Sequence, residues 1–386
     1  MELKEFLHMN GGDGELSYSQ NSFLQRGVSL MSQPMLEIAL KSIISEGLGP
    51  GKALKVADLG CGVGPVPSAL ASLVKENVKR ECEELSWDDD DDDDQMPEIQ
   101  IYMNDLPSND FNLLFRDLLR MEEEKGEDVE GKSSKLPMCS LMGAPGSYYE
   151  RLFPKESLHL VHANCTRHWL SQNLTFVLTP WGHVKAPSGL YRPEGRGINK
   201  GNVYISETSP REAYLGQFER DLTQFLKCRS QEVVPNGLML LTFRGRPSSS
   251  DLATWQPWEL KLLSLSISSL VSKGMLEKDK VDSFDFPYFG ATKEEIRSIV
   301  EGQGSFAVEN MKTVTHSVAN EIECNEERAQ KIGKFVRAFT QPVLSRYFGV
   351  QVLGSLNDEL TLLALLHLDD GQPVDHFIII VLLRRI

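Results

Sequence analysis

Residues 58–64 read Asp58-Leu-Gly-Cys-Gly-Val-Gly64, an acid followed by glycines at alternate positions. Glycines at 60, 62 and 64 let the backbone approach a ligand closely, and the bend follows directly on an apolar run from Ala53. Such a ligand would sit at the carboxyl end of a strand, where open parallel sheets bind their ligands. The dinucleotide fingerprint requires a sixth-position glycine or alanine, but Pro65 stands there and Gly64 comes one place early, which disfavours a pyrophosphate. A second acid at the end of the following strand can accept hydrogen bonds from both hydroxyls of a ribose. Asp105, after Ile99-Gln-Ile-Tyr-Met103 and Asn104, stands at that position.

These residues need a sheet to position them, and the rest of the chain supplies one. Val28, Met31, Met35, Ile38, Leu40 and Ile43 recur at helical spacing as far as Gly47. Strand, tight turn and helix follow from Ala53 through Val74. Further apolar runs end at Asn104-Asp105, at Ser157–His162 and at Gly237–Phe243, each alternating with helical stretches. This alternation predicts an α/β fold with a mostly parallel sheet covered by helices on both faces. Helical periodicity around Leu260–Val271, Lys293–Glu301 and Glu326–Phe339 marks residues 250–345 as a helical cap over the sheet's open edge. Residues 1–249 with 346–386 then form the core, closed by a last strand at His376–Leu383.

Composition narrows the function. A chain of 386 residues with 41% hydrophobic and 25% charged residues buries a sizeable core as one large domain or two, which excludes a disordered protein. Forty basic residues against 55 acidic ones give a net charge of -15; without the seven charges of the run Asp88–Asp94 the remainder carries -8. Neither nucleic acid nor an anionic membrane is attracted by such a field, so neither is expected as a partner. The acid run reads as a solvated loop, since it lacks the alternating ligands of a calcium loop. The six cysteines show no metal-binding or redox spacing, and the charged start Met1-Glu-Leu-Lys-Glu5 is unlike a signal peptide, so a reduced, cytoplasmic protein is expected. No apolar run approaches the roughly 20 residues of a membrane span.

The Asp58–Gly64 pattern resembles the first motif of methyltransferases that use S-adenosylmethionine. Further strings make the resemblance specific: Met9-Asn-Gly-Gly12, Ser17-Tyr-Ser-Gln-Asn-Ser22, Met103-Asn-Asp-Leu106, Asn109-Asp-Phe-Asn112, Arg151-Leu-Phe-Pro154 and Trp169-Leu-Ser-Gln172. Together they resemble the plant SABATH methyltransferases, which methylate carboxylates such as salicylate, benzoate and jasmonate or the nitrogens of xanthine alkaloids. Arg229–Gly237, Arg244-Gly-Arg246 and Val336–Phe339 are nearest the caffeine-synthase branch. The resemblance implies a Rossmann-like class I methyltransferase core with an N-terminal segment that gates the substrate. It also implies cofactor contacts: Tyr18 and Asn21 from that segment, Asp58, Gly60 and Cys61 at the methionine end, Asp105 and Leu106 at the ribose and adenine, and Ser147 and Tyr148 around the adenine. Val66 stands where relatives carry a side-chain amide, which removes one polar contact to the cofactor.

For the acceptor, the resemblance implies that Trp169 stacks on a flat ring and that His168 makes a polar contact to it. Gln25 matches a carboxylate-contacting glutamine of the salicylate-type members, and Cys165 takes the place of an aromatic substrate contact. A magnesium ion is implied on Asn199, Asp282, Phe284 and Asp285, whose oxygens suit a hard cation. Homodimers are common among the relatives. A carboxylate acceptor is ionised at neutral pH, whereas a xanthine N–H must lose its proton, for which His168, with an imidazole's ordinary titration near neutrality, is the candidate base. The expected activity is N-methylation of a xanthine, with carboxyl methylation of a benzoate-like acid, or cofactor binding without turnover, as alternatives.

Overall fold

The computed structural model describes residues 9–46, 48–49, 51–85, 96–126, 137–171, 174–179, 182–187, 203, 211–248, 257–284, 286–318 and 320–386. The acid run Asp88–Asp94 and two expected metal ligands, Asn199 and Asp285, lie outside them. In chain order the elements begin with α1 (Tyr18–Asn21), α2 (Phe23–Glu46), β1 (Leu54–Leu59), α3 (Pro65–Glu84), β2 (Ile99–Asn104), α4 (Phe111–Gly126), β3 (Cys139–Gly143) and β4 (Leu158–Asn164). A hairpin of β5 (Leu174–Thr179) and β6 (Gly182–Pro187) precedes α5 (Arg211–Glu232) and β7 (Val233–Arg244). Then come α6 (Trp258–Ser272), α7 (Lys278–Asp282), α8 (Lys293–Gln303), β8 (Phe306–Ser317), α9 (Asn325–Phe348), α10 (Leu353–Asp369) and β9 (Asp375–Arg385).

Seven strands form one sheet in the order β3-β2-β1-β4-β7-β9-β8. The five from β3 to β7 are parallel, and β9 runs antiparallel between β7 and β8. The order runs outward in both directions from β1 and β4, so the crevice between their carboxyl ends is the switch point at which such sheets hold ligands. Strands buried on both faces explain the near-continuous apolar runs. Val56, Leu160, Leu240 and Ile380 point into the core layer beneath α2 and α3; Ala57, Val161, Leu241 and Ile379 point into the layer beneath α5 and α8. Pro65 opens α3 in the first turn, where a missing N–H costs nothing.

The stretch 250–345 differs from a purely helical cap. Within it β8 pairs with β9 along its whole length as the edge strand of the main sheet, while α10, beyond the interval, packs against α9 and α6. Edge position explains why β8 escapes a reading by hydrophobic runs: the polar pairs Glu309-Asn310 and Lys312-Thr313 interrupt its apolar residues, and only Phe306 is fully buried. No helix among the described residues is long and apolar enough to cross a membrane.

One buried ion pair ties the helical layer to the loop after β3. Arg229 Nε donates to Glu232 Oε2 at 2.6 Å, and both residues are wholly buried. The remaining guanidinium nitrogens donate to the carbonyls of Tyr148 and Glu150 at 2.8 and 2.9 Å, while Glu232 Oε1 accepts from the amides of Leu152 and Phe153. The pair is therefore a clamp on residues 148–153. Arg229→Met strands a buried carboxylate, and its expected cost is about 3–5 kcal/mol, read as a lowered urea midpoint; an unchanged midpoint would contradict the clamp.

Candidate active site

The β1 bend is held in a conformation open only to glycine. Gly60, Gly62 and Gly64 have φ of 71°, 64° and 98°. A Cβ at Gly60 would lie 2.5 Å from Thr166 Cγ2, and one at Gly64 would lie 2.9 Å from Ser19 Cα. The amides of Gly60 and Cys61 donate to the Asn104 carbonyl, and Gly62 N donates to Asp105 Oδ2 at 2.7 Å. Leu106 N donates to the other carboxylate oxygen at 2.7 Å. Asp105 thus laces the end of β2 to the β1 bend.

Above this bend lies a cavity of ≈ 800 Å³. Its wall includes Tyr18, Gly60, Asp105, Leu106, Ser147 and Tyr148 together with Gln25, Cys165, His168, Trp169, Arg244 and Phe339. The fold therefore brings ten of the sequence-predicted residues onto one surface. Trp169 sits in an aromatic nest, with ring centroids 5.4 Å from Phe286, 6.3 Å from Phe339 and 6.5 Å from Tyr288, and His168 lies 5.1 Å from Tyr288.

Three expected cofactor contacts are placed differently. Asn21 does not line the cavity; its amide donates to the carbonyls of Glu15 and Ser17 at 2.9 and 2.7 Å and holds the N-terminal turn together. Asp58 and Cys61 lie behind the bend, on a recess of ≈ 10 Å³ that shares Tyr18, Gln25, Gly60 and Val63 with the main cavity and also has Val66 in its wall. Asp58 Oδ1 is 2.7 Å from His162 Nδ1, and Oδ2 has no partner among the described residues. The recess is thus lined by two orphan acceptors, Asp58 Oδ2 and Gln25 Oε1.

The magnesium expectation finds little to stand on. Of the two expected ligands that are described, the Asp282 carboxylate accepts from Lys278 Nζ at 2.6 and 2.8 Å, and Phe284, whose ring packs on Tyr347 and Phe348, has only its carbonyl to offer a cation. Among the described residues no group of three or more His, Cys, Asp or Glu side chains could hold a metal ion.

Burial sets the protonation of the site. Asp105 is pushed up to about 6 by burial and, less, by the Asp58 charge, against the pull of its two amide donors. Burial raises the Cys165 thiol to about 11, so it is no nucleophile at neutral pH. His168 does not titrate near neutrality: burial, and then the guanidiniums of Arg244 and Arg167, drive its pKa well down. It is a neutral imidazole whose Nδ1 has no partner, and so low a basicity makes it a poor base.

Several wall residues escape the sequence reading. Asp221 accepts from Ser171 N at 2.6 Å, from the Ser171 hydroxyl and from Gln217. Arg167, which does not line the cavity, stacks its guanidinium 3.2 Å from the Tyr148 ring centroid and 4.3 Å from that of Phe225. Arg244 stands at the carboxyl end of β7, in the Arg-Gly-Arg string that serves the sequence reading only as a likeness; a charge ending an otherwise apolar strand was the available signal.

Comparison with known proteins agrees with this geometry. A family model for SAM-dependent carboxyl methyltransferases matches residues 4–386. The chain is 42% identical to a 3,7-dimethylxanthine N-methyltransferase of Camellia sinensis, covering 99% of this chain and 97% of that one. It is 40% identical to the 7-methylxanthine methyltransferase of Camellia ptilophylla, over 99% and 98%. Among solved structures, a loganic acid methyltransferase with SAH superposes with a TM-score of 0.79 at 30% identity, covering 98% of both chains. A glycine bend and strand-end acid of the expected kind, set in a chain that matches these relatives over its length, place the protein in the SABATH family of S-adenosylmethionine-dependent methyltransferases.

Proposed function

We propose that the enzyme methylates a ring nitrogen of a xanthine-type purine. The observation that carries the reading is the pair of aromatic side chains, Trp169 and Phe339, in the wall of the cavity that also holds the glycine bend and Asp105. Aromatic side chains on a cavity wall suit a flat heterocycle. The names of the relatives, xanthine methyltransferases at 40–42% identity, support the same substrate class. A second reading, carboxyl methylation, is supported by Gln25, which reaches the same cavity and whose side-chain amide N–H groups are donors of the kind a carboxylate needs.

The residues present suit S-adenosylmethionine. Asp105 offers acceptors for ribose hydroxyls, Tyr148 an aromatic face for adenine, and the orphan oxygens of Asp58 and Gln25 two acceptors for an ammonium group. When bound, the cofactor supplies a sulfonium methyl: the acceptor's lone pair forms the new bond to carbon, and the carbon–sulfur pair stays on sulfur as a neutral thioether. The chain contributes alignment and exclusion of water, with no covalent intermediate on the protein. Incubating the purified protein with methyl-labelled cofactor and a panel of xanthines and aromatic acids tests the reading. Label is expected in a xanthine; label in an acid alone would favour the second reading, and label in neither would overturn both.

Asp105 makes cofactor binding depend on pH. Its folded-state pKa is raised, so the fold favours the neutral carboxyl; that stabilisation is full below the ordinary carboxylate range and lost as pH rises through about 6. Hydroxyl donors favour the ionised form, so uptake of S-adenosylhomocysteine is expected to release protons near pH 6 and to weaken below it. Calorimetry in buffers of different ionisation enthalpy reads the release, and Asp105→Asn is expected to abolish it.

For His168, loss of a working general base would cost roughly 10²–10⁴-fold. Because its basicity is so low, His168→Gln is expected to lower kcat/KM by less than about tenfold and to leave the shape of the pH profile unchanged. A larger loss confined to N–H acceptors would restore its role as base.

A further inference from the structure

We propose that Arg244 receives the methyl acceptor as an anion, a proposal that rests on the methyl-transfer reading above and adds to it the charge state of the acceptor. Arg244 is only 4% exposed, yet it lines the cavity beside Cys165, His168, Trp169 and Phe339. Its guanidinium carbon lies 5.5 Å from the Tyr288 ring centroid and 5.9 Å from that of Phe339, so the cation stands beside the rings that pack on Trp169. Nη2 donates to Glu259 and lies 3.1 Å from His376 Nδ1; Nε has no partner among the described residues.

An arginine keeps its proton, so this is a permanent cation in a poorly solvated wall. The groups that meet it come from several elements. Glu259 of α6 is its counter-charge, and Glu259 Oε2 lies 3.8 Å from His376 of β9 without a hydrogen bond. His376 and His168 are held neutral, by burial first and by Arg244 next. The Cys165 thiol and the Tyr18 and Tyr288 hydroxyls stay protonated through burial, although the Arg244 charge favours their ionised forms. The field of Arg244 therefore reaches into the cavity despite Glu259. Asp105 lines the same cavity and opposes Arg244 at the Tyr18 hydroxyl, while Asp58 lines the adjoining recess.

An anionic acceptor removes the need for a protein base. A carboxylic acid or an acidic ring N–H gives its proton to solvent before it enters the site. The lone pair so exposed forms the bond to the methyl carbon, the carbon–sulfur pair remains on sulfur, and an anion and a sulfonium become two neutral products. Arg244 orients the anion through its charge; the neutral His168 serves as a wall.

Two probe pairs test this on protein saturated with S-adenosylhomocysteine, by calorimetry at neutral pH: benzoate against benzamide, and xanthine against its fully N-methylated counterpart. In at least one pair the ionisable member is expected to bind about tenfold or more tightly than the neutral one. Which pair shows the preference distinguishes a carboxylate from a ring anion. Arg244→Gln is expected to abolish the preference while leaving S-adenosylhomocysteine uptake unchanged. Because that variant strands Glu259, the double variant Arg244→Gln with Glu259→Gln, which removes both charges, decides the matter if the single variant does not fold. Equal or tighter binding of the neutral members, no binding of any probe, or a preference that survives in the folded variants would overturn the proposal. Failure of S-adenosylhomocysteine uptake by the unsubstituted protein would instead overturn the methyl-transfer reading.

Discussion

The site depends on a backbone constraint at the end of β1. Three glycines in left-handed conformations turn the chain so sharply that Thr166 and Ser19 pack where side chains would otherwise stand. That close approach joins three distant pieces of chain: the N-terminal segment, the β1 bend and the loop after β4. Asp105 locks the arrangement by accepting from the bend's own amide. Because β1 and β4 flank the switch point of the sheet, the floor built in this way lies where a parallel sheet leaves a crevice open.

Around that floor Asp105 and Arg244 line one cavity and Asp58 the recess beside it, while the His168 imidazole, acted on by Arg244 and Arg167, is neutral. Burial does most of this work, since it opposes every charge and leaves only those with a partner or a permanent proton. The helical layer stabilises the same design from behind. Arg229 and Glu232 fasten the loop that carries Tyr148, and Arg167 stacks on the Tyr148 ring. An aromatic side chain held in this way is oriented before any ligand arrives, which lowers the ordering cost of binding.

The parallel strands β1, β2, β4 and β7 and the long helices α2 and α9 were legible because their burial is regular, whereas β3, nowhere fully buried, was not. Strands buried on both faces read as apolar runs, and α2 and α9 read as helical stripes. The strand β8 was not legible: on the sheet's edge its polar residues hide among helical neighbours, and only pairing with β9 reveals it. Ten of the residues named from the resemblance line the cavity, whereas Asn21 does not, its amide being spent on the turn that it closes.

From sequence alone the glycine bend and the acid that follows the next strand were decided, because each rests on local backbone geometry or on residues at fixed spacing; the adenosyl cofactor followed from the resemblance of those strings to a family. The charge state of the site was decided only in three dimensions. Arg244 meets Glu259 and His376, the latter 132 positions away in the chain, and His168 loses its basicity to burial and to two guanidiniums. A titrating group answers to the water and charges that surround it, and those are assembled by the fold rather than by its neighbours in sequence.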